Sequence, residues 1–217
     1  MERHQAHSAA QVLGRAFYDD PLYMYLLPND RSRAAQSAWF FQALIRVGLH
    51  LGQVHTTPPV GGAAIWLAPG KTDVNLWTTI RAGLPLVPLK FGLGGFRRTM
   101  NMLSSFEESV HEADLGRHWY LMLLGIDPQQ QGRGLGGALM LPMLDRADSD
   151  NLPCYLETCK KRNVAFYERY GFRVIFERHI PGGGPIYWGG AWCASQSHNQ
   201  NGTSPSLAPN VPPFRSQ

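Results

Sequence analysis

The sequence predicts one α/β domain in which helices flank a central mixed sheet. Three observations lead there. Residues 9–51 place apolar side chains at helical spacing. Residues 53–68 switch to two short strand-like runs around a Pro/Gly turn. From His118 onward strands and helices alternate, with glycines at the junctions.

Composition narrows the class. The 217 residues, 44% apolar and 17% charged, suffice for one domain with its own core. No apolar run approaches the ~20 residues of a membrane helix. The polar start MERHQAHSAA lacks the apolar centre of a signal peptide. The expectation is a cytoplasmic protein with no membrane association. A net charge of +4 suits a protein that handles a small polyanion. No dense Lys/Arg stripe with interleaved aromatics supports nucleic acid as a partner. Arg97-Arg98 and Lys160-Lys161-Arg162 read as solvated faces. Cys154, Cys159 and Cys193 are odd in number and irregular in spacing, so neither a disulfide framework nor a metal site is expected.

The elements follow in order. Residues 9–18 form a helix that Asp19-Asp20-Pro21 ends, because proline cannot continue it. Leu22 to Leu27 makes a short helical turn. Residues 31–51 form a longer helix with Trp39, Phe40, Ala43, Leu44 and Val47 on one face. Residues 53–57 and 63–68 pair as an antiparallel hairpin across Pro58-Pro59 and Gly61-Gly62. Helical pieces are expected over 73–83 and 95–115. His118 to Ile126 is a buried strand, 134–147 a helix, and 152–158 another strand. A short helix over 163–170 precedes two strands, Phe172 to Arg178 and Ile186 to Trp192. Residues 1–193 therefore read as one domain. The Ser/Asn/Gln/Pro-rich 194–217 reads as a disordered tail, and its sequon Asn201-Gly202-Thr203 as chance.

The chemistry concentrates between the buried strand and the helix after it, in Asp127-Pro128-Gln129-Gln130-Gln131-Gly132-Arg133-Gly134-Leu135-Gly136-Gly137. Glycines there let backbone approach a ligand closely. The helix start adds unpaired N–H groups and a positive dipole end, which together make a diphosphate cradle. Arg133 can add charge. Gly132-x-Gly134-x-x-Gly137 also matches a dinucleotide fingerprint, with Glu157 where its ribose acid would stand. That reading fails on context. Five residues separate the strand from the first glycine, and too little ordered chain follows for a doubly wound sheet.

Gln131-Gly132-Arg133-Gly134-Leu135-Gly136 resembles the pattern Gln/Arg-x-x-Gly-x-Gly/Ala of the GNAT acetyltransferases. Asn163 through Phe172 resembles that family's Asn…Phe-Tyr-Glu-x-x-Gly-Phe segment. Within the family, residues 47–52 with the following AAIW run, 119–142 and 156–172 are similar to the puromycin N-acetyltransferases. The resemblance implies the GNAT fold, a mixed, mostly antiparallel sheet flanked by helices. The family's first edge strand is expected to be missing here or the chain to be truncated, since the sequence starts at the helix that follows that strand.

The resemblance also implies acetyl-CoA as co-substrate and transfer to an amine by direct attack in a ternary complex. Backbone of Leu124, Gly125 and Ile126 would hold the pantetheine arm. Residues 131–137 (Gln131, Gly132, Arg133, Gly134, Leu135, Gly136, Gly137) would hold the diphosphate, and Asn163 the arm's other side. Tyr167, protonated at neutral pH, would be the general acid. Its plainer role is packing. Glu157 would be the base, directly or through water, or else an ion-pair residue. Asp20 and Tyr23 would meet a small-molecule amine acceptor, although Asp20 equally suits a helix end. His118 reads as a surface residue. Two rivals stay open: an enzyme for protein or peptide amines, and a non-catalytic acyl-CoA-binding module. A homodimer is compatible with the sequence.

Overall fold

The computed structural model describes residues 5–71 and 83–193. Residues 73–82 of the expected helix over 73–83, the 194–217 tail and its sequon lie outside them. Chain order is α1 (Gln5–Ala16), α2 (Pro21–Leu26), α3 (Asp30–Leu51), β1 (Gly52–Thr56), β2 (Gly62–Leu67), α4 (Val87–Ala113), β3 (Trp119–Ile126), α5 (Leu135–Ser149), β4 (Cys154–Thr158), α6 (Lys161–Glu168), β5 (Arg173–His179) and β6 (Ile186–Trp192). Short 3₁₀ turns precede α4 and follow β3.

Local chemistry sets the helix starts. The Asp20 carboxylate accepts the Leu22 N–H at 2.9 Å, and Pro21 occupies the first position of α2, where no N–H is needed. Asn29 caps α3 in the same way, through the Arg31 N–H at 3.0 Å. α4 is broken at Gly92, whose φ of 70° a side chain would oppose.

The six strands form one sheet in the order β1-β2-β3-β4-β6-β5. Every pairing is antiparallel except β3 with β4, which α5 joins by a crossover. No strand precedes α1 among the described residues. Alternation along β2 sends Ala63 and Ile65 to one face and Ala64 and Trp66 to the other. The first face packs α1, α2 and α3 through Leu13, Leu26, Phe40, Phe41 and Ile45. The second packs α5 and α6 through Leu139, Met140, Leu144 and Tyr167. The two cores lock the sheet between helical layers, so the strand ends that carry the site are held from both sides.

Candidate active site

The sheet opens at its centre. β3 and β4 pair only over Trp119↔Cys154, Tyr120↔Tyr155 and Leu121↔Leu156. Beyond that, Leu123 to Ile126 stay paired to β2, while Glu157 and Thr158 stay paired to β6. The two parallel strands therefore part, leaving backbone without a neighbour on the inner side. A bulge at Met122 matters here: Ile65 faces Leu123 and Trp66 faces Leu121, so Met122 has no partner on β2. The Asp127 N–H donates to Gly61 O on the β2 side at 2.9 Å. By strand alternation Ile126 and Leu124 turn their N–H and C=O groups into the gap. Gly125 turns toward β2, and a side chain there would strike Leu13 and Phe17 at 2.8 and 2.9 Å. Its missing side chain makes room for α1, a packing role rather than the ligand role the resemblance implies.

The turn after β3 is held from several directions. Asp127 accepts the Gln129 N–H at 3.1 Å and takes Arg15 of α1 at 2.9 and 2.5 Å. Burial raises its pKa, but Arg15 and the Gln129 N–H outweigh that and hold the carboxyl below its ordinary value. Gln131 Nε2 donates to Ile126 O at 3.2 Å. Gly132 and Gly134 stand at φ 78° and 76°, left-handed backbone that only glycine adopts cheaply, and a Cβ added at either would meet nothing within 4 Å beyond its chain neighbours. No side chain caps α5, whose N-cap is Gly134 itself. The N–H groups of Leu135, Gly136 and Gly137 thus lack intrahelical acceptors and present a positive dipole end. That is a seat for an anion. Arg133 is exposed beside it. Gly136 and Gly137 serve packing: a methyl at Gly136 would meet the Phe166 ring at 3.0 Å, and one at Gly137 would run into the Tyr170 hydroxyl. A cleft of about 240 Å³ borders the turn on its β1–β2 side, lined by Pro58, Pro59, Gln130 and Arg133 among others.

Across the gap, Thr158 organises the end of β4. Its hydroxyl accepts from Asn163 Nδ2 at 3.2 Å and from the Lys160 N–H at 3.4 Å. Asn163 is thereby fixed to β4 in the first turn of α6. Lys160 reaches Asp19 at 2.6 Å and ties the α1–α2 loop to the same spot.

Glu157 sits beside Tyr120 and Tyr155 on the face covered by α1–α4. Both carboxylate oxygens are shut off from solvent without a partner in hydrogen-bonding geometry, although the residue as a whole is part-exposed. Burial pushes its pKa up to about 8, and the two nearby tyrosine hydroxyls offset only part of the shift. The Tyr155 hydroxyl is itself buried and unpartnered. Tyr167 is buried on α6 against Phe166 and Phe172, with ring centroids 5.2 and 5.8 Å away. Burial, then the Asp20 charge, raises its pKa well above the usual value, so it is a proton donor at any neutral pH. Burial also raises the Cys159 thiol, which leaves it un-ionised and no nucleophile.

Asp20 is the cap of α2, and burial raises its pKa to about 6 against the Leu22 N–H and Lys160. Tyr23 packs among Phe17, Phe40 and Phe41, at 5.1, 6.3 and 4.8 Å between centroids. Its ring is a core side chain. His118, expected at the surface, is buried: it enters a central strand, where helices cover both faces. Its Nδ1 lies 2.8 Å from Gly116 O and its ring 5.9 Å from Tyr155. Sequence reasoning missed Tyr120 and Tyr155 as the surroundings of Glu157. Period-two spacing puts Tyr155 on the face of Glu157 and so signals the second; the first needs the strand register. No group of three or more metal-binding side chains occurs among the described residues.

Residues 101–172 match the model of the acetyltransferase (GNAT) family. That match spans the central strand, the glycine turn and α6. The chain is an acyltransferase. An uncharacterized N-acetyltransferase of Schizosaccharomyces pombe is 27% identical to the acyltransferase over 178 residues, 79% of this chain and 71% of that protein. Two solved structures share its fold. One, described as histone acetyltransferase HPA2 and related acetyltransferase from Corynebacterium glutamicum, has a TM-score of 0.67 at 18% identity, over 92% of this chain and 96% of that one. The other, a Drosophila melanogaster polyamine N-acetyltransferase that forms N-acetylagmatine, has a TM-score of 0.61 at 14% identity, over 89% and 97%.

Proposed function

We propose that the protein transfers the acetyl group of acetyl-CoA to a primary amine of a small molecule, by direct attack in a ternary complex. One observation carries this reading. β3 and β4 part, and the glycine turn after β3 leads to the uncapped start of α5, so a strand-like arm and a diphosphate can be bound at once.

Acetyl-CoA, when bound, supplies the acetyl thioester. The chain supplies the rest. Leu124 and Ile126 offer backbone N–H and C=O to the pantetheine arm, and Asn163 closes on it from α6. Gln131, Gly132, Arg133, Gly134 and Leu135 hold the phosphates with the first-turn N–H groups of α5. Glu157, with two unpartnered oxygens and a pKa of about 8, accepts a proton from the incoming ammonium, directly or through water. Tyr167 holds a proton for the departing thiolate. Asp20 and Tyr23 shape the acceptor side from α2 without facing it as bare ligands. The relative that forms N-acetylagmatine and the puromycin-type resemblance both favour a small amine acceptor, such as a polyamine or an aminonucleoside.

The test is acetyl-CoA-dependent thiol release screened against aminonucleosides, polyamines, amino acids and peptides. Release with one small-amine class is the expected result. Release with peptides alone overturns the acceptor assignment, and calorimetry without heat on adding acetyl-CoA overturns the reading as a whole.

A further inference from the structure

We propose that Phe176 decides which amines the enzyme accepts. Its ring walls the space beside Glu157, so that an amine on an unbranched CH2 carbon is preferred to one on a branched carbon. This rests on Glu157 as the base for the acceptor, and adds the side chain that limits what can stand next to that base.

Two local features place the ring there. Glu157 of β4, Gly189 of β6 and Phe176 of β5 stand opposite one another in a single row across the sheet. Residues paired across antiparallel strands share a face, so Phe176 lies on the face of Glu157. The row depends on a bulge in β5: Val174 faces Gly190 and Phe176 faces Gly189, which leaves Ile175 without a partner. In an unbroken ladder Ile175 would face Gly189, and the bulge re-aims Phe176 into its place. Gly189 has no side chain of its own, and the ring fills the middle of the row. A Cβ at Gly189 would collide with Cζ and Cε2 of Phe176 and lie 2.7 Å from Cε1. The tip of the ring therefore reaches across β6 toward β4, where its centroid is 6.4 Å from that of Tyr155.

The ring is held from behind. Tyr187 meets it edge-on at 6.1 Å, and the Arg178 guanidinium lies over it at 4.9 Å. Both supports are tied to α4. The Tyr187 hydroxyl donates to Ser105 O at 3.1 Å, and Arg178 is ion-paired with Glu112. Tyr120 and Tyr155, 5.8 Å apart between centroids, stand on the β3 side of Glu157. The carboxyl thus has aromatic surface on both flanks.

Reach sets the limit. An ammonium that gives its proton to Glu157 directly stands about 3 Å from a carboxylate oxygen. The carbon bearing the nitrogen is one bond further out. Neighbouring strands are about 4.8 Å apart, so that carbon comes beside the ring over Gly189. Two hydrogens fit there, whereas a further carbon presses on Phe176 or on the tyrosines opposite. A terminal polyamine nitrogen meets this limit. The amine of a 3′-aminonucleoside or of an α-amino acid does not.

The experiment is acetyl-CoA-dependent thiol release with 2-phenylethylamine and 1,4-diaminobutane, each compared with its homologue methylated on the amine-bearing carbon. The unbranched member should have the higher kcat/KM by about 10–200-fold, the span for one carbon in a closed pocket. Phe176→Ala should bring that ratio toward one by raising the branched member, with acetyl-CoA affinity by calorimetry unchanged. Phe176→Leu should fall between. A ratio of two amines on one enzyme cancels any loss of folded protein, so a merely structural role for Phe176 leaves it unmoved. Equal kcat/KM for both members, or a ratio that neither substitution changes, overturns the inference. Turnover only of amines on branched carbons overturns it as well and leaves acyl transfer standing. No thiol release with any amine overturns the acyl-transfer reading and this inference with it.

Discussion

The Arg15 guanidinium grips one oxygen of Asp127 with two nitrogens, at 2.9 and 2.5 Å, and joins the end of α1 to the turn that follows β3. The other carboxylate oxygen caps that turn through the Gln129 N–H. One side chain thus sets where the glycine turn begins and holds it against a helix far away in sequence. Arg15 is half exposed, so the pair itself contributes about 1 kcal/mol or less to stability. Its weight lies in placing Gly132 to Gly137.

Asp127→Ala should therefore raise the KM for acetyl-CoA about tenfold, or about 1.4 kcal/mol of binding, while leaving kcat within a few-fold. Asp127→Asn keeps the cap but loses the charge, and should fall between the two. Steady-state kinetics with a saturating acceptor checks this. Equal loss in kcat and KM effects would argue that the turn is not the phosphate seat.

Tyr167→Phe keeps the ring between Phe166 and Phe172 and removes only the hydroxyl. Acetyl-CoA affinity by calorimetry should be unchanged. Thiol release should slow by roughly 10²–10⁴, the span of a lost general acid. Turnover equal to that of the unmodified enzyme would return Tyr167 to packing alone.

Glu157 has a folded pKa of about 8 against an ordinary value of 4.5. The folded state therefore holds a proton that the unfolded chain has released over that interval, and this carboxyl lowers stability as pH rises from about 4.5 through 8. Glu157→Gln removes the titration. Its melting temperature should exceed that of the unmodified protein above neutral pH, and the difference should vanish in acid. As the base, ionised Glu157 should also make kcat/KM climb toward a plateau above pH 8, a limb that Glu157→Gln loses. Thermal melts and a pH–rate profile read the two effects separately.

The sequence made the elements legible because each buries one face at a regular period, and the glycine turn because positive φ at Gly132 and Gly134 leaves a chemical mark. What it hid depends on contacts between distant residues. Arg15 and Asp127 are 112 positions apart. Tyr120 comes beside Glu157 only through the parallel register of β3 and β4. The bulge at Met122, which turns Leu124 and Ile126 into the gap, is a property of the pairing and not of the strand's own pattern. His118 looked like a flanking polar residue because its covering layers come from elsewhere in the chain. The glycine motif also concealed a division of labour, in that some of its members answer to ligand geometry and others to neighbouring rings.

That division is testable at Gly134 and Gly137. Gly134 sits at φ 76° in open space, so Gly134→Ala meets no neighbour and suffers only the left-handed backbone penalty, about 1–2 kcal/mol. The strain would be relieved by reshaping the turn, and acetyl-CoA affinity should fall more than the melting temperature does. Gly137 has ordinary helical backbone, but a methyl there collides with the Tyr170 hydroxyl and comes within 3.0 Å of the ring carbon that bears it. Gly137→Ala should push α6 away from α5 and lower the melting temperature. Adding Tyr170→Phe removes the oxygen that clashes first and should recover part of that loss. Gly134→Ala should gain nothing from the same second change. If Tyr170→Phe helped both variants equally, or neither, the separation into a ligand-facing and a packing glycine would be wrong.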